Sequence, residues 1–92
     1  MFTEACAAKT VVAHFGEMCP RRRDELVARF GAGTPISKVD SDLVSFVDEH
    51  WRRHGSGVPL VVVDDGGAGQ KPRDLAAYAR DHRNLTVQVI KV

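Results

Sequence analysis

Ninety-two residues with a formal net charge of +1 predict one domain, residues 1–92, with no room for a second. The near balance of 13 basic against 12 acidic side chains excludes the strongly basic profile of a dedicated nucleic-acid binder. A hydrophobic share of 43% beside 27% charged residues excludes a disordered or fibrous chain, and no apolar run approaches the ~20 residues of a membrane helix.

The first segment, Met1-Phe2-Thr3-Glu4-Ala5-Cys6, lacks the basic-then-apolar pattern of a signal peptide, so the expected location is the cytoplasm. From Thr3 to Met18 the recurrence of Ala8, Val11, Val12, Phe15 and Cys19 at helical spacing predicts a helix capped by Thr3. The competing reading makes Thr10–Phe15 a strand, because Thr and Val favour one; the alanines weight the balance toward helix. Pro20 opens a second helix through Phe30, with Leu26, Val27 and Phe30 on one face. Gly31-Ala32-Gly33-Thr34-Pro35 then breaks the chain in a loop.

Asp40 or Ser41 is expected to cap the next helix, which carries Leu43, Val44, Val47 and Trp51 as its apolar stripe and ends at Arg52-Arg53-His54 before Gly55. Val58–Val63 reads as a strand covered on both faces, with Pro59 confined to its start. It runs into Asp64-Asp65-Gly66-Gly67-Ala68-Gly69. A helix from Pro72 to about His82, stopped at Asn84, leads to a closing strand at Leu85–Val92 with the alternation of an edge. Since a helix fills the crossover, these two strands should be parallel. The expected fold is therefore a small single α/β domain, three or four helices around a small, mainly parallel sheet with a C-terminal βαβ unit. Two strands alone make a poor sheet. Either Thr10–Phe15 supplies a third, or a second copy completes it as a homodimer through the C-terminal strand.

Asp64 and Asp65 end a buried strand, the place where open α/β sheets gather ligands; as a carboxylate pair they are candidate Mg²⁺ ligands. They also read as ordinary turn formers, and the nearest further acid is Asp74. The glycine run before Lys71 matches neither GxGxxG nor GxxxxGK[ST] and reads as a connector. His14, Glu17 and Cys19, with Cys6, His50 and His54, show no recognised zinc spacing, and Cys6 and Cys19 read as buried small hydrophobes in a reducing compartment.

Arg21, Arg22 and Arg23 open one helix and Arg52 and Arg53 close another. Should these ends meet, they would form a patch able to engage phosphates or a partner. Trp51, the single tryptophan, reads as core unless exposed, in which case it is a candidate interface residue. Basic residues are mostly Arg, with Lys only at Lys9, Lys38, Lys71 and Lys91, and Ala, Val, Gly and Asp abound; this matches a GC-rich coding sequence, as in an actinobacterium or one of its phages.

No catalytic constellation is complete and no cofactor is expected. The chain thus reads as a small interaction or regulatory module that binds another macromolecule, first of all a protein, rather than as an enzyme. Phosphate recognition in nucleic acid through the arginines, and Mg²⁺-dependent phosphate chemistry at Asp64 and Asp65, are the alternatives.

Overall fold

The computed structural model describes residues 10–92; the Thr3 cap and the start of the predicted first helix lie outside them. Among the described residues four strands, β1 (Val11–His14), β2 (Ile36–Lys38), β3 (Leu60–Asp64) and β4 (Val87–Lys91), alternate with three helices, α1 (Pro20–Phe30), α2 (Leu43–His54) and α3 (Lys71–Arg83). All strands run parallel in the order β2-β1-β3-β4. The expected α/β fold and its C-terminal βαβ unit are present, with β4 at an edge.

Val11–His14 is a strand, which overturns the helical reading of that segment. The reason is tertiary. β1 lies between β2 and β3, its four residues are all buried, and Val12 N donates to Pro35 O at 2.9 Å while Val11 N donates to Pro59 O at 3.1 Å. Two flanking ladders outweigh the helix propensity of nearby alanines. The third strand thus comes from the chain itself. β2, only three residues long, adds a fourth strand that pattern reading missed.

Side chains alternate across the sheet. Val12, Val61, Val63 and Ile90 cluster with Leu26 of α1, and Val11, Ala13, Leu60, Val62 and Val87 cluster with Val47 of α2 and with Leu75, Ala76 and Ala79 of α3. One helix therefore covers one face and two cover the other. α2 is capped by Asp42 rather than Asp40 or Ser41: its carboxylate accepts from Ser45 N at 3.3 Å. Asn84 closes α3 in the left-handed region at φ 54°, a conformation its short polar side chain tolerates.

From β1 the chain crosses to β2 on one side; from β3 it crosses to β4 on the other. The loops after β1 and β3 diverge, and a crevice opens between them at the carboxyl end of the sheet.

Candidate functional site

The crevice is built by the loop from Phe15 to Cys19 and the loop from Asp65 to Gln70. One cavity of about 230 Å³ is lined by His14, Glu17, Cys19, Arg22 and Asp65 among others. A second, of about 290 Å³, shares Phe15, Glu17 and Asp65 and reaches Lys71. Gly16, at φ +72°, lets the chain leave β1 in a turn that L side chains rarely adopt. Its carbonyl is 3.0 Å from His14 Nδ1. A carbonyl only accepts, so Nδ1 carries the proton and Nε2 keeps its lone pair. His14 is 6% exposed. Burial, foremost, holds its pKa below the ordinary imidazole value; the Gly16 carbonyl opposes the shift, and the Arg23 and Lys38 charges reinforce it.

Glu17 is tied to Lys38 at the end of β2, with Oε2 2.9 Å from Nζ. That hydrogen bond lowers the Glu17 pKa and raises that of Lys38. Both groups are largely exposed, so the pair contributes little to stability. Cys19 is exposed rather than buried. It occupies the N-cap of α1 without a side-chain capping bond. Cys6 lies outside the described residues.

Asp64 and Asp65 part company. Asp64 is 7% exposed and accepts from Gly66 N at 3.1 Å; Asp65 is exposed and accepts from Gly67 N at 2.9 Å. Each carboxylate folds its own loop as an Asx turn, and each uses an amide that a phosphate cradle would need free. Asp74 is exposed in the first turn of α3, where an acid suits the helix dipole. Among the described residues no group of three His, Cys, Asp or Glu side chains is placed to hold a metal ion.

The arginines are also separated. Arg21, Arg22 and Arg23 begin α1 at the carboxyl end of the sheet, whereas Arg52 and Arg53 finish α2, which leads to the start of β3 at the opposite end. One continuous patch is therefore not formed. Arg53 and Arg52 both pair with Glu49, at 3.0 and 3.7 Å, and Arg22 pairs with Glu25 at 3.5 Å.

A second assembly lies on the outer side of the packed helices α2 and α3. Trp51 is 39% exposed, so the core reading of this residue gives way. The Arg83 guanidinium lies 4.8 Å from the Trp51 ring centroid. Arg83 Nε donates to Asp48 Oδ1 at 2.9 Å, and Tyr78 OH donates to the same oxygen at 3.2 Å. The Arg83 hydrogen bond, above all, holds the Asp48 carboxyl below its usual range, while burial raises the Tyr78 phenol. Tyr78 stacks on His82 with centroids 4.5 Å apart. Val44 is exposed one stripe position before Asp48. Sequence reading singled out Trp51 but not Arg83, Tyr78 and Asp48; the one local signal was Asp48 three residues before Trp51 on α2, while Tyr78 and Arg83 join them only through the packing of α3 on α2.

His50 is the other buried imidazole: its Nε2 donates to Val58 O at 3.0 Å, and burial lowers its pKa. In the unfolded chain both histidines titrate near the ordinary value of about 6.5. Below that value the unfolded state binds more protons than the fold, so stability is present above it and is lost as pH falls toward the folded pKa values. Urea midpoints should fall between about pH 7.5 and about pH 5.5. A flat profile over that interval contradicts the assignment of both rings as neutral and buried.

Comparisons with protein-family models, with curated proteins and with solved structures returned no match.

Proposed function

We propose that this domain is an interaction module that binds a partner protein through the outer face of α2 and α3. One observation carries the reading: the single tryptophan is 39% exposed beneath an arginine that Asp48 holds in place. Tryptophan, tyrosine and arginine dominate the energetics of protein interfaces, because they offer large contact area with directional polar groups. Here they are preorganised. Asp48 fixes Arg83, and Arg83 lies against Trp51, so less side-chain freedom is lost on association. Arg83 Nε is used internally, which leaves the guanidinium's other donors for a partner's carbonyl or carboxylate. Val44 extends the apolar part of the surface along α2.

A second copy of this chain is a competing partner, through the edge strand β4. That edge is partly occupied: Arg80 Nη2 donates to Val87 O at 2.8 Å, and Lys91 is exposed on the strand. Bonded edge carbonyls and edge lysines both discourage strand addition, so the helical face is favoured for a different protein.

The test uses the single tryptophan. Labelling with 5-fluorotryptophan gives one ¹⁹F signal, from Trp51. Adding host lysate should shift and broaden it, while the Trp51→Phe protein, which carries no label, serves as the blank. A complex that forms on gel filtration without moving this signal places the interface elsewhere and refutes the proposal.

A further inference from the structure

The last turn of α2 is fastened to the domain by one buried side chain. Within α2 only Val47 and His50 are buried; beyond His50, Trp51, Arg52 and Arg53 are exposed and His54 is half-buried. His50, 5% exposed, reaches the segment that follows the helix, where its Nε2 donates to Val58 O at 3.0 Å. Val58 leads into Pro59, whose carbonyl accepts from Val11 N at 3.1 Å and from Thr10 Oγ1 at 2.9 Å. The ring therefore ties the end of α2 to the starts of β1 and β3. Between the helix and Val58 lies Gly55-Ser56-Gly57, with Gly55 at φ +67°, a conformation glycine takes without strain. A Cβ added at Gly55 or Gly57 would meet nothing within 4 Å, so this turn stands clear of the body and has room to move.

This fastening can take a proton. The Val58 carbonyl only accepts, so Nε2 already carries one and a second enters at Nδ1. Beside the ring is a cavity of about 170 Å³, lined by Val11 of β1, Ser37 of β2 and, on α2 itself, Phe46, Glu49, Arg53 and His54. Among these residues β1 and β2 present no charge. The ring's own helix presents Arg53, His54 with its ring centroid 4.9 Å away, and Glu49, which Arg52 and Arg53 already share. α3 brings Arg83 to Asp48, two residues from His50 and so on the other side of the helix. An imidazolium at His50 thus has no free counter-charge among the described residues, and burial disfavours it further. We infer that acid releases the last turn of α2: protonation expels the His50 ring, and residues 51–58 open about the Gly55-Ser56-Gly57 turn while the rest of the fold stays closed. Fully buried Val47 and Leu60 bound the released segment, and Leu60 N keeps its bond to Thr86 O at 2.9 Å. Trp51 lies in the turn that opens. If the α2–α3 face is the interface proposed above, a partner that needs this turn ordered binds more weakly in acid; that consequence rests on the interface reading, and the release does not.

The test follows the full chain, without a partner, from about pH 7.5 to about pH 5, across the ordinary imidazole value of about 6.5. In the open turn His50 titrates near that value; in the closed turn burial, foremost, holds it lower, with the Val58 carbonyl opposing and the His54 charge reinforcing the shift. Below about 6.5 the open form therefore binds the extra proton, and the opening equilibrium should rise by up to about tenfold per pH unit until the closed-state value is reached. Hydrogen exchange at the amides of residues 52–55, normalised at each pH to unstructured rates, should quicken by that factor, while residues 75–79 of α3 keep their protection. The ¹⁹F signal of 5-fluorotryptophan at Trp51 should move with the same midpoint as the His50 ring nitrogens in long-range ¹H–¹⁵N spectra. His50→Gln should abolish both responses; should that variant fail to fold, the coincidence of midpoints in the wild type decides. His54→Gln should keep them, and so should His82→Gln, which removes the exposed imidazole stacked on Tyr78. Three results overturn the inference: unchanged normalised exchange at residues 52–55, an equal loss of protection at residues 75–79 (which means the whole domain unfolds), or a ¹⁹F transition that disappears in His82→Gln. Each is read on the free protein, so none of them bears on whether the α2–α3 face binds a partner.

Discussion

Leu75→Ala should lower the melting temperature by about 10–20 °C. Leu75 is fully buried on α3 and packs in the cluster that joins α2 and α3 to β1, β3 and β4. Truncating a buried leucine removes its transfer free energy and leaves a cavity, together about 2–5 kcal/mol. A 92-residue domain has a total stability of roughly 5–14 kcal/mol, and in this size range each kcal/mol moves the midpoint by about 4–8 °C. The loss is large because the site has little capacity to collapse. Leu60 and Val62 on the sheet and Val47 on α2, all fully buried, share the cluster. Val44→Ala, on the exposed side of α2, should change stability by less than about 0.5 kcal/mol. Thermal melts of the two variants followed by circular dichroism compare them directly. A shift below about 3 °C for Leu75→Ala would mean that α3 does not pack as described.

The elements that could be read from the sequence are those with strong local signals. α2 announces itself through its apolar stripe, its basic last turn and Gly55; α3 through Pro72, Leu75, Ala76 and Ala79, and a left-handed stop at Asn84. β3 is visible because Leu60–Val63 are apolar on both faces, which a strand buried between two helical layers requires. β1 escaped because Ala8, Val11, Val12 and Phe15 also satisfy helical spacing, and only the ladders to β2 and β3 decide between the readings. β2 escaped because three residues, Ile36-Ser37-Lys38, carry almost no pattern; their pairing with Val12–His14 makes them a strand.

The same division holds for the site. Asp64 and Asp65 drew attention by position; in the fold each carboxylate accepts an amide of the loop it begins, from Gly66 and Gly67. His14 could not be placed while β1 was unassigned, because its burial and its contact with the Gly16 carbonyl follow from its position at the end of that strand. The two arginine groups are alike in sequence and differ only in which end of the sheet each helix terminus reaches. Linear patterning reports which residues a helix contains; the strand order determines which loops meet.

Trp51→Ala should weaken the partner complex by about 2 kcal/mol or more, about thirtyfold, the loss typical of a central interface tryptophan. The ring already orders its neighbours before binding. Arg83 lies over it and Asp48 holds Arg83, so removing the indole takes away apolar area and also the surface that orients the guanidinium. Arg83→Ala should weaken the complex as well, and the two losses should not add, since residues in contact share their interaction energy. Trp51→Phe should recover part of the affinity, because a smaller ring keeps a face for the cation. Arg52→Ala, in a solvent-exposed pair with Glu49, should change affinity little. The measurement is a comparison of the partner retained from host lysate by each immobilised variant, followed by titration of the purified partner. Circular dichroism confirms that each variant is folded. Retention by Trp51→Ala equal to that of the wild type would remove the α2–α3 face from consideration and leave the β4 edge as the surface to test.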